Sequence, residues 1–364
     1  MSQEQVDEST ANSQMIIDCD LHQSYRSPDE ISRYLPKRYD YRGVRIPTLT
    51  YGNPAGFGRE DALPDDTDDF EYAGSEYSKF KENHLDRYGI DYALLTGHAH
   101  FNINALPNRD YAVELARAHN KWLINDWLPK DDRFRGSLHV AMQDPEATAA
   151  MIREQGTHPD IVQILIQGGS TQVPLGDPQY WPVYEAAAEL DLPVALHVSS
   201  EGEANTGSPT GAGFPNTYLE WHTTFPAVFM GQLASIIAEG VFEEFTDLKF
   251  VFTECGYTWV PFFMWRMDEE WRATRAQVPW LEQAPSEYIR EHVRFTTQPV
   301  HAPERPHQFK QILEMMHADE TLMFASDYPH WDSDSPEHAL PNLPDDLTDR
   351  IYYENAAELY GLSA

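Results

Sequence analysis

Five positions in this sequence put an ionisable side chain at the end of an apolar run. Asp20 and His22 close MIIDCDLH, His197 follows PVAL, Glu254 follows KFVFT, and Asp327 follows TLMFAS. A charged group at the end of a buried strand is costly unless it is paired or ligating. Alternate residues of a strand share a face, so Asp20 and His22 point together while Leu21 points to the opposite layer. A carboxylate beside an imidazole can chelate a divalent ion. Asp18 has the same parity and is expected to face inward, deeper in the strand.

These residues need elements to carry them. Short β-rich apolar runs recur at 15–20, 90–96, 135–142, 161–167, 193–198, 249–254, 293–297 and 321–326. Continuous apolar character is what parallel strands covered on both faces require. Helical patterns fall between them, at 108–128, 145–155, 178–190, 225–245, 257–275, 305–317 and 343–361. Asp144-Pro145 and Asp177-Pro178 each place a capping acid before a proline at the first helical position. Eight alternating units predict an α/β fold, a (β/α)8 TIM barrel, with a doubly wound open sheet as the alternative. In a barrel, the ends of strands 1, 5, 6 and 8 converge on one face, which gathers the five ionisable groups.

The remaining segments frame that face. Residues 1–14 read as a disordered acidic tail, with neither the basic nor the apolar region of a secretory signal. Residues 15–364 read as one metal-dependent TIM-barrel domain, with a long polar insertion at 23–75 and a Gly/Ser/Thr loop opening the stretch 199–222. Cys19 and Cys255 are too few for a disulfide framework and read as small core residues. No run reaches the roughly 18 apolar residues of a membrane span. Asp and Glu outnumber Lys and Arg 59 to 26, for a net charge of −33. That excess excludes nucleic-acid and anionic-membrane partners. It points to a cytoplasmic protein of a high-salt (halophilic) organism, whose self-repulsion salt would screen.

MIIDCDLH, PVALHV, GVFEEFTDLKFVFTECG, WRMDEEWR and FASDYPHWD together resemble the amidohydrolase-related family. The similarity is to its branch with aminocarboxymuconate semialdehyde decarboxylase and the hydroxybenzoate decarboxylases, and it covers residues 15–362. The resemblance implies one divalent ion, zinc first and manganese second, held by Asp20, His22, His197 and Asp327. One departure stands out. Where decarboxylases of the family carry a proton-handling His at the end of strand 6, this chain has Glu254-Cys255-Gly256. Glu254 is then a base, a further ligand or an orienter of a nearby His, and His222 is a candidate substitute. Asp327 can take a proton from metal-bound water. His98 and His100 follow strand 2 and can line the mouth, His330 can orient Asp327, and Arg266 can meet a substrate carboxylate. The missing His tilts the expectation to a hydrolase of a small organic substrate. A non-oxidative decarboxylase of an aromatic or unsaturated acid is the alternative, and a non-catalytic metal-containing binding barrel the third reading. A homodimer is expected.

Overall fold

The computed structural model describes residues 15–40, 74–97, 103–168, 171, 173–199, 210–340 and 343–363. The expected tail 1–14, most of the insertion 23–75, loop positions 200–209, and His98 and His100 lie outside the described residues.

Eight parallel strands appear in sequence order, as a (β/α)8 barrel demands. They are β1 (Ile17–Leu21), β2 (Tyr92–Leu95), β3 (Phe134–His139), β4 (Ile161–Gln167), β5 (Val194–His197), β6 (Phe250–Thr253), β7 (Val293–Thr296) and β8 (Leu322–Met323). The ring closes through Cys19 N–H to Phe324 O (3.0 Å), Asp327 N–H to Asp20 O (3.1 Å) and His22 N–H to Tyr328 O (2.8 Å). Every residue of β1, β4, β5 and β6 is buried, which is why those segments read as unbroken apolar runs.

The two faces of the sheet separate cleanly. Ile17, Cys19, Leu94, Leu165, Ala195, Val251, Met323 and Ala325 pack together inside the ring. Tyr360 and Leu362 of the C-terminal segment close its far end, and Tyr360 OH donates to Gln163 Oε1 at 2.8 Å. Leu21, Leu95, Ile166, Leu196, Phe252, Phe295 and Phe324 face outward into the helix layer. Burying each such side chain contributes about 1.5–3 kcal/mol. The interior register runs Gln167, His197, Thr253 at one level, just beneath the mouth.

Helix Pro145–Gln155 starts where the sequence places it, with the Asp144 carboxylate accepting Ala147 N–H at 3.2 Å. Asp177 accepts Gln179 N–H in the same way. Helices Tyr218–Thr224 and Pro285–His292 are additions to the sequence reading.

Two expectations are corrected at the β1–β8 seam. A bulge lies between Asp18 and Leu21. It adds one residue to β1 and reverses the parity, so Asp18 faces the helix layer instead of the interior. Regular pairing of β8 also stops at Met323, short of the expected 326. Beyond it, side chains replace the ladder: Thr297 Oγ1 accepts Ala325 N–H (3.0 Å) and Asp18 Oδ1 accepts Ser326 N–H (2.9 Å).

Candidate metal centre

The strand ends bring five side chains to one point at the barrel mouth. Asp20, His22, His197, Glu254 and Asp327 are all buried, and one donor atom from each lies within 4.8 Å of all the others. His22 Nε2 is 2.8 Å from Asp327 Oδ1 and 3.4 Å from Asp20 Oδ1. His197 Nε2 is 3.3 Å from both Asp20 Oδ2 and Glu254 Oε2.

Four of the five side chains are held by a second contact. His22 Nδ1 donates to Gly97 O and His197 Nδ1 to Val198 O at 2.6 Å. Those bonds leave both Nε2 atoms aimed at the centre, in the form a metal-binding imidazole takes. Thr96 Oγ1 donates to Asp20 Oδ1. His330 Nδ1 is 2.7 Å from Asp327 Oδ1. Glu254 and Asp327 adopt left-handed backbone, with φ of 52° and 62°. That geometry costs a side-chain-bearing residue on the order of 1–3 kcal/mol and is kept where surrounding structure enforces it. Here it turns both strand ends sharply, so the carboxylates enter the mouth.

Electrostatically the cluster lacks positive charge. Burial and then Asp327 push the Glu254 carboxyl well above the ordinary carboxylate range. Burial and then Asp332 do the same to Asp327. Asp20 moves the other way: burial opposes its charge, but His22 and His197 outweigh burial and lower it. Both imidazoles are raised, since Asp20 overrides the cost of burying them. Glu254, Asp327 and both imidazoles are thus drawn toward their protonated forms, while Asp20 is held ionised between the two rings. Hydrogen bonding points the same way. Among the described residues, Asp20 Oδ2, His22 Nε2, His197 Nε2 and Asp327 Oδ2 are buried without a hydrogen-bond partner. Such orphans call for an occupant, and a mixed N/O set of this kind fits a divalent cation.

His330 lies against the cluster, its ring centroid 4.1 Å from that of His22. His222 stands at the rim on helix Tyr218–Thr224, stacked on Tyr218 (5.1 Å) and 3.5 Å from Asp332 Oδ2. Burial and then His301 push its imidazole down to about 4. Arg266 is a correction: its side chain is 65% exposed on helix Val260–Thr274 and pairs with Glu270, so the chain does not bring it to its own centre. Its helix buries Phe263 and Met264, and Arg266 falls on the opposite, solvent face.

Several participants escaped the sequence reading. Thr96 closes a β-run as a small neutral residue and carries no sequence signal. Asp332 lies in the quoted FASDYPHWD, five residues past Asp327, and its charge raises both Asp327 and Glu254. Trp331 Nε1 donates to Tyr218 OH at 3.0 Å and joins the two rim segments.

The family described as Amidohydrolase matches residues 17–362. A gamma-resorcylate decarboxylase of Rhodococcus jostii is 28% identical over 197 residues, 50% of this chain and 57% of that enzyme. The match therefore spans little more than half of that relative. A gamma-resorcylate decarboxylase of a Polaromonas species is 26% identical over 293 residues, 77% of this chain and 86% of the enzyme. The crystal structure of a 5-carboxyvanillate decarboxylase from Novosphingobium aromaticivorans, complexed with manganese and 4-hydroxy-3-methoxy-5-nitrobenzoic acid, superposes with a TM-score of 0.68. It covers 96% of this chain and 97% of that one at 20% identity.

Proposed function

Since this chain belongs to the amidohydrolase family, we propose that it is a metal-dependent, non-oxidative decarboxylase of a hydroxylated aromatic acid. The observation that carries the metal-dependent part is the convergence of five buried donors within 4.8 Å. The relatives named above support decarboxylation over hydrolysis. The absent strand-6 His, which favoured hydrolysis, weighs less once Glu254 is seen inside the cluster.

Asp20, His22, His197 and Asp327 would hold the ion. Manganese is favoured over the zinc first expected, because the Novosphingobium enzyme carries it. A bound divalent ion would anchor the substrate carboxylate with a neighbouring phenol oxygen and offset negative charge there.

The chain's own residues supply the rest. Decarboxylation breaks one C–C bond, releases carbon dioxide and needs one proton at the ring carbon left behind. Glu254 is the donor in this reading: burial and Asp327 keep its proton on. His330 fixes the orientation of Asp327. His222 and Asp332 stand together at the rim, and the Asp332 charge helps to keep the Glu254 carboxyl raised. Tyr218, Trp221 and Trp331 form an aromatic wall beside them, suited to a planar ring.

Exposed Phe214, Leu219, Phe262 and Trp265 support a second copy of the chain as partner, to be checked by light scattering. The acid excess supports a cytoplasm of high salt. Among the described residues no helix is long and apolar enough to cross a membrane.

The deciding assay offers the manganese-loaded protein 2,6-dihydroxybenzoate, 5-carboxyvanillate and related hydroxybenzoates, with amides, esters and lactones alongside. Carbon dioxide release is the expected result. Hydrolysis of an amide, ester or lactone without carbon dioxide release would replace the proposal with the hydrolase reading.

A further inference from the structure

Asp18 lies two residues before Asp20 but on the other side of β1. Its Oδ1 accepts the amide N–H of Ser326 (2.9 Å) and of Asp20 (3.3 Å). Its Oδ2 is 2.7 Å from His84 Nε2. The Ser326 hydroxyl is 3.3 Å from the same nitrogen and accepts Tyr328 N–H at 3.1 Å. The His84 ring stacks on Tyr328 at 4.6 Å. Asp18, His84 and Ser326 are all at least 98% buried.

We propose that Asp18 and His84 are positioning residues for the metal centre, a buried clamp that fixes the distance between Asp20 and Asp327. The proposal rests on the metal-centre reading above and adds residues to it that touch none of the expected donor atoms.

Three observations carry it. First, the β1 bulge and the early end of β8 leave the seam without a regular ladder. The amides of Asp20 and Ser326 then hang on one carboxylate, and Ser326 directly precedes Asp327. Two elements carrying two ligands are thus tied through one side chain as well as through the backbone bonds that close the seam. Second, Asp327 is held in left-handed backbone (φ 62°). A strained residue keeps its place only where its neighbours over-determine it. The hydroxyl of Ser326 on Tyr328 N–H and the stacking of His84 on Tyr328 constrain both sides of it. Third, the segment that delivers His84 is itself docked on β1. Ser24 N–H donates to Gly74 O at 3.1 Å, and a Cβ on Gly74 would stand 2.2 Å from His22 O. Only glycine permits that approach. The segment is thus anchored beside His22 at one end and beneath Asp20 at the other.

A ligand-orienting network of this kind is worth about 10- to 100-fold in metal affinity. The test measures the dissociation constants for Mn2+ and Zn2+, with urea unfolding of the metal-free protein, for the wild type and for His84→Leu, His84→Gln and His292→Asn. His292 is a matched control: it is buried, 3.0 Å from Leu248 O through Nδ1 and stacked on Phe242, at the opposite end of the barrel. The proposal expects His84→Leu to weaken metal binding about 10- to 100-fold. His84→Gln, which restores an N–H toward Asp18, recovers part of that loss. His292→Asn loses stability but keeps wild-type affinity. Should His84→Leu not fold, Ser326→Ala decides, with several-fold weaker binding expected. Wild-type affinity in the foldable seam variants, or an equal loss in His292→Asn, overturns the proposal alone. A wild type that binds neither ion overturns the metal-centre reading and the clamp with it.

Discussion

Asp327 Oδ1 stands between two imidazoles, 2.7 Å from His330 Nδ1 and 2.8 Å from His22 Nε2. One oxygen is thus fixed by His330, while Oδ2 is buried without a hydrogen-bond partner. The carboxylate is oriented from outside the cluster and open toward its centre. His330→Ala should therefore weaken metal binding about 10-fold or more and lower turnover with it. Titration of the variant with Mn2+ checks this, and wild-type affinity would remove His330 from the orienting role.

Glu254 separates the two remaining roles. Its carboxyl is buried, is pushed above the ordinary carboxylate range by burial and Asp327, and lies 3.3 Å from His197. If it is the proton donor, Glu254→Gln keeps the metal and loses about 100- to 10,000-fold in kcat. Metal content and carbon dioxide release measured on one preparation give the answer. Loss of the metal would make Glu254 a ligand instead, and unchanged kcat would exclude it from proton transfer.

Acid should destabilise the barrel in a defined window. His139 is buried beside Thr96 O, donating from Nε2 at 2.7 Å. Burial first, and then His197 and His22, push its imidazole down to about 4. In the unfolded chain it titrates near its ordinary 6.5. Between these values the unfolded state binds more protons, so stability falls as pH drops through the window. The full loss, reached below about 4, is on the order of 3 kcal/mol. Urea midpoints from pH 7 to 4 would show the decline, and His139→Gln should flatten it. An equal slope in that variant would assign the acid sensitivity elsewhere.

The charge excess makes a separate prediction. With 59 acids against 26 bases, repulsion between surface carboxylates is screened by salt. The thermal midpoint should climb from low to molar KCl. A flat response would remove the high-salt reading without touching the metal centre.

Much of this architecture was legible in the chain because strand ends are legible. All eight apolar runs form strands, and Asp20, His197, Glu254 and Asp327 sit where those runs stop. Parity failed at one place. Asp18 shares the even spacing of Asp20 and His22, yet the bulge between Asp18 and Leu21 turns it outward. A bulge adds one residue and leaves no compositional mark, so alternation alone cannot find it. Arg266 failed for a related reason. It reads as a partner for a substrate carboxylate, but helical spacing through the buried Phe263 and Met264 puts it on the solvent face. Asp332 was missed because its effect is electrostatic and acts through space on Glu254 and Asp327. His98 and His100 fall outside the described residues, and their substrate role stands as a proposal.

Elemental analysis of the purified wild type beside His197→Ala tests the central claim most directly. About one divalent ion per chain is expected in the wild type, held by the four donors around one site, with loss of both metal and activity in the variant. A wild type without stoichiometric metal, or a His197→Ala protein that keeps full occupancy, would contradict it.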